Sequence, residues 1–329
     1  MTGGGGFIGS HLAKYLRDRG HFVRVADLTL NGHSSERYFD EEMLLDLRVW
    51  GNCLRATQGI DQVYNLAANM GGIGFITQVG ADLMRDNLLT NVNMLEAARQ
   101  NKVKKYLFSS SACVYPEYRQ NDAIVTGLKE SDAYPAEPDT FYGWEKLATE
   151  QLCKAFAHDY KMQIKIARYH NIYGPNGTYR GGREKSPAAL CRKVAEASDP
   201  GAITVWGDGE QTRSSCYVDD AIRATVMLME SGFDCPLNIG SDRLVTVDQL
   251  ANIIIQISGK KIRKLHDLSA PQGVRGRNAD ISLAKKVIGW EPRVSLEEGL
   301  SRTYAWIVSK CREDAHEEIS GHQQIANRV

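Results

Sequence analysis

Near its N-terminus the chain reads MTGGGGFIGSHLAKYLRDRG, a run of glycines opening directly onto an amphipathic helix pattern. Few folds tolerate such a run, because glycine loses more backbone freedom on folding than any other residue. Gly4, Gly6 and Gly9 satisfy G-x-G-x-x-G, and Gly3, Gly6 and Gly9 satisfy G-x-x-G-x-x-G. In such a turn one glycine permits the bend, a second brings the backbone close to a ligand, and a third lets the helix sit tightly on a sheet. Ile8, Leu12 and Leu16 then share a helix face, and Gly20 closes the helix. The strand pattern FVRVAD follows and ends in Asp27. A carboxylate at that distance suits an adenosine ribose and favours NAD over NADP. The pyrophosphate would lie at the helix N-terminus, on Gly3, Gly6, Phe7, Ile8 and Gly9. Asp46 and Leu66 join this cofactor set, Leu66 within the NLAA that ends the next strand (Asn65–Ala68).

Further strand patterns at 61–68, 103–111 and 164–175 alternate with helix patterns at 87–99 and 139–160. This alternation predicts an α/β fold, a Rossmann-like doubly wound parallel sheet. Only Met1 and Thr2 precede the glycine turn, where such a fold has a central strand. The first strand is therefore expected to be largely absent from this chain; a start at Met1 would weaken cofactor binding and stability, and a start upstream would restore both. After about residue 176 the rhythm changes. A basic loop, TYRGGREKS, leads to helix patterns at 187–197, 218–229, 247–257 and 296–309, and the Asp-Gly of WGDGE predicts a hairpin. The expected division is an NAD-binding domain over 1–175, a smaller, mainly substrate-binding domain over 176–312 and a polar, fraying tail over 313–329. Segments near 205–230 are expected to return to the sheet.

Composition narrows the partners. Lys plus Arg and Asp plus Glu both number 40, which argues against a nucleic-acid binder. The 7 cysteines include no C-x-x-C, so neither a metal cluster nor a disulfide framework is expected, and a reducing, cytoplasmic setting fits. No signal-peptide pattern or bilayer-length apolar run suggests a membrane.

Three segments carry candidate chemistry: SSSACVYP (Ser109–Pro116), Tyr142 through Lys146, and GGREK (Gly181–Lys185). Tyr142 and Lys146 are four apart and share a helix face. A phenol is a poor base at neutral pH, and a nearby ammonium lowers its pKa. With Ser111 holding a substrate hydroxyl, these groups suffice to deprotonate an alcohol as it is oxidised. Cys113 could simply pack, and Lys185 could be a solvated charge or a phosphate contact. Trp206 and Tyr217 read as core, His170 as structural or pocket-lining, and Met70, Met84 and Met94 as fillers. Arg183, Arg213, Arg275 and Arg277 are candidates for a diphosphate, though not all four.

The motifs NLAANMGGIGF, SSSACVYPEY, LKESDAYPAEP, YGWEKLATE, RYHNIYGPNGTYRGGREKSPAA, WGDGEQTRS, NIGSD and GVRGRN are more specific. Through them the chain resembles the extended short-chain dehydrogenases/reductases that act on nucleotide sugars, and within these the GDP-mannose 3,5-epimerases. The resemblance runs from the glycine turn to about Ser309. It implies NAD as cofactor, a GDP-sugar substrate and a homodimer built on the helices at 83–99 and 139–160. It implies conversion of GDP-α-D-mannose to GDP-β-L-galactose, with GDP-L-gulose from C5 inversion alone, in vitamin C precursor synthesis. By resemblance, Ser111, Tyr142 and Lys146 serve oxidation, while Cys113 and Lys185 form the acid/base pair. Gly71, Gly72 and Gly74 form the substrate-side loop, with Asn171, Lys193, Arg213 and Arg275 as further substrate contacts. The family carries an acid after NLAA where this chain has Asn69.

Three other enzymes and one non-enzyme compete. A 4,6-dehydratase needs a carboxylate pair where Ala112 and Cys113 stand. A 4-epimerase leaves Cys113 and Lys185 without a task. A simple alcohol dehydrogenase would release NADH. A non-catalytic member of the fold would draw on the missing first strand.

Overall fold

The computed structural model describes residues 1–30 and 37–326. Its main sheet contains β1 (Arg24–Asp27), β2 (Glu41–Leu44), β3 (Gln62–Asn65), β4 (Lys105–Ser111), β5 (Gln163–Tyr169) and β6 (Pro236–Ile239). β2 pairs with β1, and β3, β4, β5 and β6 follow one another, every pairing parallel.

The gap between β1 and β3 is held by the chain's first residues. Thr2 bridges Ala26 on one side and Asn65 on the other, both in parallel. Thr2 N donates to Tyr64 O at 3.0 Å and Gly3 N to Ala26 O at 3.0 Å, while Ala26 N donates to Met1 O at 2.8 Å. The central position is thus occupied by a bridge rather than by a full strand. Winding reverses at Thr2, so a crevice opens there beyond the C-terminal ends of the strands.

Both sheet faces are covered. Along β4, Tyr106 and Phe108 join one apolar cluster and Leu107 the other, the two-residue period of a strand buried on both faces. Helix α1 (Phe7–Arg17) packs with α6 (Val218–Glu230), which also touches β5 and β6. On the other face lie α2 (Trp50–Thr57), α3 (Gly80–Gln100) and α4 (Phe141–Tyr160). Thr140 caps α4, its Oγ1 accepting Gly143 N at 3.2 Å.

The remaining segments build a second layer beside the sheet. Helix α5 (Ser186–Glu196) packs with helices Val247–Ser258 and Leu296–Ala326. The WGDGE hairpin does not form. The strand before it, Gly201–Trp206, pairs in parallel with Ile262–Asp267, while Thr212–Ser214 after it lies between Leu244–Thr246 and Gly276–Arg277. Gly207 and Gly209 supply the bend, with φ of 75° and 80°, but distant segments supply the strand partners. The helix that begins at Leu296 continues past Glu313 to Ala326. Among the described residues no helix is long and apolar enough to cross a membrane.

Candidate active site

The glycine turn builds a cleft of about 670 Å³ over the switch point. Gly3 has φ of +65°, and a Cβ on it would come within 2.7 Å of Ala67 N. A Cβ on Gly9 would strike the Gly3 carbonyl oxygen, so glycine there lets α1 lie close to the turn. Gly6 precedes α1 and offers no side-chain cap to it, leaving the first amides for an anion. Phe7, Ile8 and Leu66 line the same cleft.

At the end of β1, Asp27 Oδ2 accepts Gly5 N at 2.9 Å and Oδ1 accepts Leu28 N at 2.7 Å. Burial pushes its carboxyl above the ordinary value despite these bonds. Asp46 also lines the cleft, where Arg48 Nη2 reaches it at 2.8 Å and holds its carboxyl below the usual range. Uncapped amides, close-approach glycines and a strand-end carboxylate fit a dinucleotide.

Tyr142 and Lys146 project from the first turns of α4 into this cleft. Lys146 Nζ lies 5.5 Å from the Tyr142 ring centre and 4.9 Å from that of Phe108. The expected lowering of the phenol's pKa is not what this arrangement gives. Burial pushes it well above its ordinary value, and the Cys113 and Glu145 charges push the same way, while a Ser111 hydrogen bond opposes them. Ser111 ends β4, and its Oγ accepts Cys113 N at 3.2 Å. This caps the short turn Ala112–Val114 that carries Cys113 out of the sheet.

Beyond Tyr142 lies a second cavity of about 350 Å³. Ser111, Tyr142 and Lys185 belong to the walls of both. Cys113 opens onto the second one, where Arg277 Nη1 lies 3.3 Å from its Sγ. Lys185 precedes α5, and burial lowers its ammonium pKa, with the Cys113 charge opposing and Arg277 reinforcing.

The roof is formed by two loops. Gly72 N donates to Arg183 O at 3.0 Å, and the Arg183 guanidinium stacks 3.8 Å from the Phe75 ring centre. Arg183 Nη1 also donates to Asn69 Oδ1 at 3.1 Å. Gly71, Gly72, Gly74, Asn171, Lys193 and Arg213 all line this cavity. Asn171 has φ of +44°, and its Nδ2 donates to Ser214 O at 2.8 Å. Among the described residues Arg213 donates to main-chain oxygens, of Thr212, Gln272 and Val274, and burial lowers its pKa to about 10. Arg277 Nη2 faces Asp139 Oδ2 at 3.6 Å, while among the described residues Gln211 Oε1 and Glu184 Oε2 are buried without a hydrogen-bond partner. Cationic walls with unanswered polar atoms suit an anionic, hydroxyl-rich ligand.

Residues 1–240 match the sequence profile of the NAD dependent epimerase/dehydratase family. The chain belongs to that family. GDP-mannose 3,5-epimerase of Arabidopsis thaliana is 47% identical over 315 residues, spanning 95% of this chain and 83% of that protein. GDP-mannose 3,5-epimerase 1 of Oryza sativa subsp. japonica is 46% identical over 325 residues, spanning 98% and 85%. The fold superposes on UDP-glucose 4-epimerase of Thermotoga maritima, solved with UDP-glucose, with a TM-score of 0.83. There the identity is 29%, over 94% of this chain and 98% of that one.

In this epimerase/dehydratase the structure differs from sequence expectation at several side chains. Arg275 reaches neither cavity: its Nη1 is held by Asp208 Oδ1 and Oδ2 at 2.8 and 2.9 Å on the surface. Arg277, two residues on, takes the inward place. Trp206 is not core but 44% exposed, and it lines the second cavity with Lys193 Nζ 5.6 Å from its ring. Tyr217 is buried. His170 is fully buried at the end of β5, its Nε2 paired with Asn238 Oδ1 at 2.8 Å, and borders neither cavity. Gln211 and the buried carboxylate of Glu145 escaped the sequence reading. Asn87 and Asn91, four apart on α3, were the signal for Glu145, because both are buried polar residues on a packed helix face.

Proposed function

We propose that the chain is a GDP-mannose 3,5-epimerase, converting GDP-α-D-mannose to GDP-β-L-galactose, with GDP-L-gulose from inversion at C5 alone. The observation that carries this is the thiol of Cys113 and the amine of Lys185 in one cavity, beside the Ser111–Tyr142 wall shared with the cofactor cleft. The Gly3–Gly9 turn and Asp27 would hold NAD, which would supply a reversible hydride acceptor for sugar C4.

This chain's residues do the rest. Ser111 Oγ holds the C4 oxygen, and Tyr142 Oη, as the phenolate, takes its proton; the Lys146 ammonium and the positive charge of a bound nicotinamide would offset the burial that otherwise raises this phenol. A ketone at C4 makes the C5 and C3 protons acidic, because each resulting anion is an enolate. Cys113 Sγ removes the proton, with Arg277 Nη1 standing 3.3 Å from it. Lys185 Nζ delivers a proton from the other face, and its lowered pKa eases that transfer. Two groups are needed because one alone would return the proton whence it came. Arg213, Lys193 and Arg277 supply charge for the diphosphate, and the Gly71–Gly74 loop lets the sugar approach the backbone.

We assign 1–175, with 218–239, to the cofactor-binding unit and most of 176–312 to substrate binding, followed by the tail over 313–329. A homodimer is supported by Leu89 and Val92 of α3 and Phe141 and Trp144 of α4, all exposed. The free state of all the cysteines supports a reducing, cytoplasmic setting.

The alternative, a nucleotide-sugar 4-epimerase, draws on the similarity to the Thermotoga maritima enzyme but leaves the Cys113–Arg277 contact idle. Incubation with GDP-mannose and NAD in heavy water separates the two. Deuterium entering at C5 and C3 without net NADH is expected. Folded, NAD-loaded protein giving no such exchange overturns the proposal, and C4 inversion alone establishes the alternative.

A further inference from the structure

Glu145 precedes Lys146 on α4 and is fully buried. Asn87 Nδ2, from α3, donates to its Oε1 at 2.9 Å, and Asn91 Nδ2 reaches Oε2 at 3.5 Å. Lys146 Nζ stands 3.7 Å from Oε1, and the two side chains are 1% and 0% exposed. A buried ammonium without a counter-charge is costly. Among the described residues, Glu145 is the carboxylate in ion-pair contact with it.

Asn87 also grips the loop. Its Oδ1 accepts Asn69 N at 2.7 Å, and its Nδ2 donates to Asn69 O at 3.1 Å. Asn69 lines the cofactor cleft and reaches Arg183, which lines the same cleft. In the other direction, Asn91 Oδ1 accepts Asn65 Nδ2 at 2.9 Å, and Asn65 Oδ1 accepts Thr2 Oγ1 at 2.6 Å. One buried chain of bonds therefore joins the glycine turn, the Glu145 carboxylate and the substrate-side loop.

We propose that Glu145 is a positioning residue with two effects: its charge, paired with Lys146, sets the field at Tyr142, and through Asn87 its carboxylate fixes the Asn69 backbone in the wall of the cofactor cleft, next to the Gly71–Gly74 loop. This deepens the proposed function and rests on its reading of Tyr142 and Lys146. The groups facing Tyr142 are Lys146 and Glu145 on its own helix and Ser111 and Cys113 at the end of β4, with Lys185 and Arg277 beyond Cys113. Removing the Glu145 charge takes away one of the negative charges that oppose a Tyr142 phenolate.

The test is the near-ultraviolet phenolate absorption against pH, for the unaltered protein and for Glu145→Gln. Each is read as the difference from its Tyr142→Phe counterpart. Glu145→Gln keeps the shape and an oxygen for Asn87. The alkaline onset of the Tyr142 band is expected to fall by about one pH unit. An onset that stays in place means that Glu145 only packs, and overturns the charge role. Glu145→Asp keeps the charge and shortens the reach to Asn87. There the onset is expected to hold while the Asn69 amide exchanges about tenfold faster. Unchanged exchange overturns the loop role, and if Glu145→Gln does not fold, a Tyr142 onset that moves in Glu145→Asp despite the retained charge overturns the charge role. Neither readout needs turnover, so failure of the proposed reaction would show separately, as absent deuterium exchange.

Discussion

The cofactor cleft is walled by backbone brought close, Gly3 against Ala67 and Gly9 against Gly3, all within one local turn and the next strand end. The second cavity is walled by long charged side chains from distant segments. Arg277 and Cys113 are separated by 164 residues. The first is specified by spacing in the sequence, the second by how the finished fold closes. The first holds a ligand by shape and amides, the second by charge and proton chemistry, so variants should divide into two kinds.

The sharpest break is expected from Lys185→Ala. Deuterium entry at C5 and C3 should fall about 10²–10⁴-fold, with NAD affinity by fluorescence titration unchanged. A parallel loss of NAD binding would mean that the two cavities are not separable. Gly9→Ala comes next and should act the other way. The added methyl meets the Gly3 carbonyl, so about 1–3 kcal/mol of stability should be lost and NAD binding weakened. GDP affinity of the folded fraction, measured by calorimetry, should hold.

Asp27→Asn should cost about tenfold in NAD affinity, the worth of one hydrogen bond to a charged acceptor. In the parent protein burial raises the Asp27 carboxyl. NAD affinity should therefore start to fall, as pH drops, above the ordinary aspartate range, and Asp27→Asn should remove that dependence. The smallest effect belongs to Arg275→Ala. Its partner Asp208 is on the surface, so the change should be worth no more than about 1 kcal/mol and leave the GDP-mannose KM unaltered. A raised KM would return Arg275 to the second cavity.

The same contrast explains what the sequence could show. The glycine turn, Asp27, the strand ending at Ser111 and the Tyr142–Lys146 spacing were legible because each is a local pattern. GVRGRN contains two arginines around one glycine. Only the pairing of Gly276–Arg277 with Thr212–Arg213 decides which of them turns inward. The hairpin expectation failed for the same reason, since an Asp-Gly bend says nothing about partners from residue 244 onward. Trp206 was readable and was missed. Along Gly201–Trp206, Ile203 and Val205 are buried and Thr204 and Trp206 exposed, a plain alternation that assigns the tryptophan to the outer phase.

The bond from Gly72 to Arg183, with Arg183 stacked on Phe75, bears on how such a protein can diverge. A side chain at Gly72 would run into the Glu184 carbonyl, so neither loop can change length or bulk without the other. A new sugar preference would therefore have to be inherited as a matched pair of segments. Grafting one alone should give a folded chain that still loads its dinucleotide and has lost its appetite for any sugar.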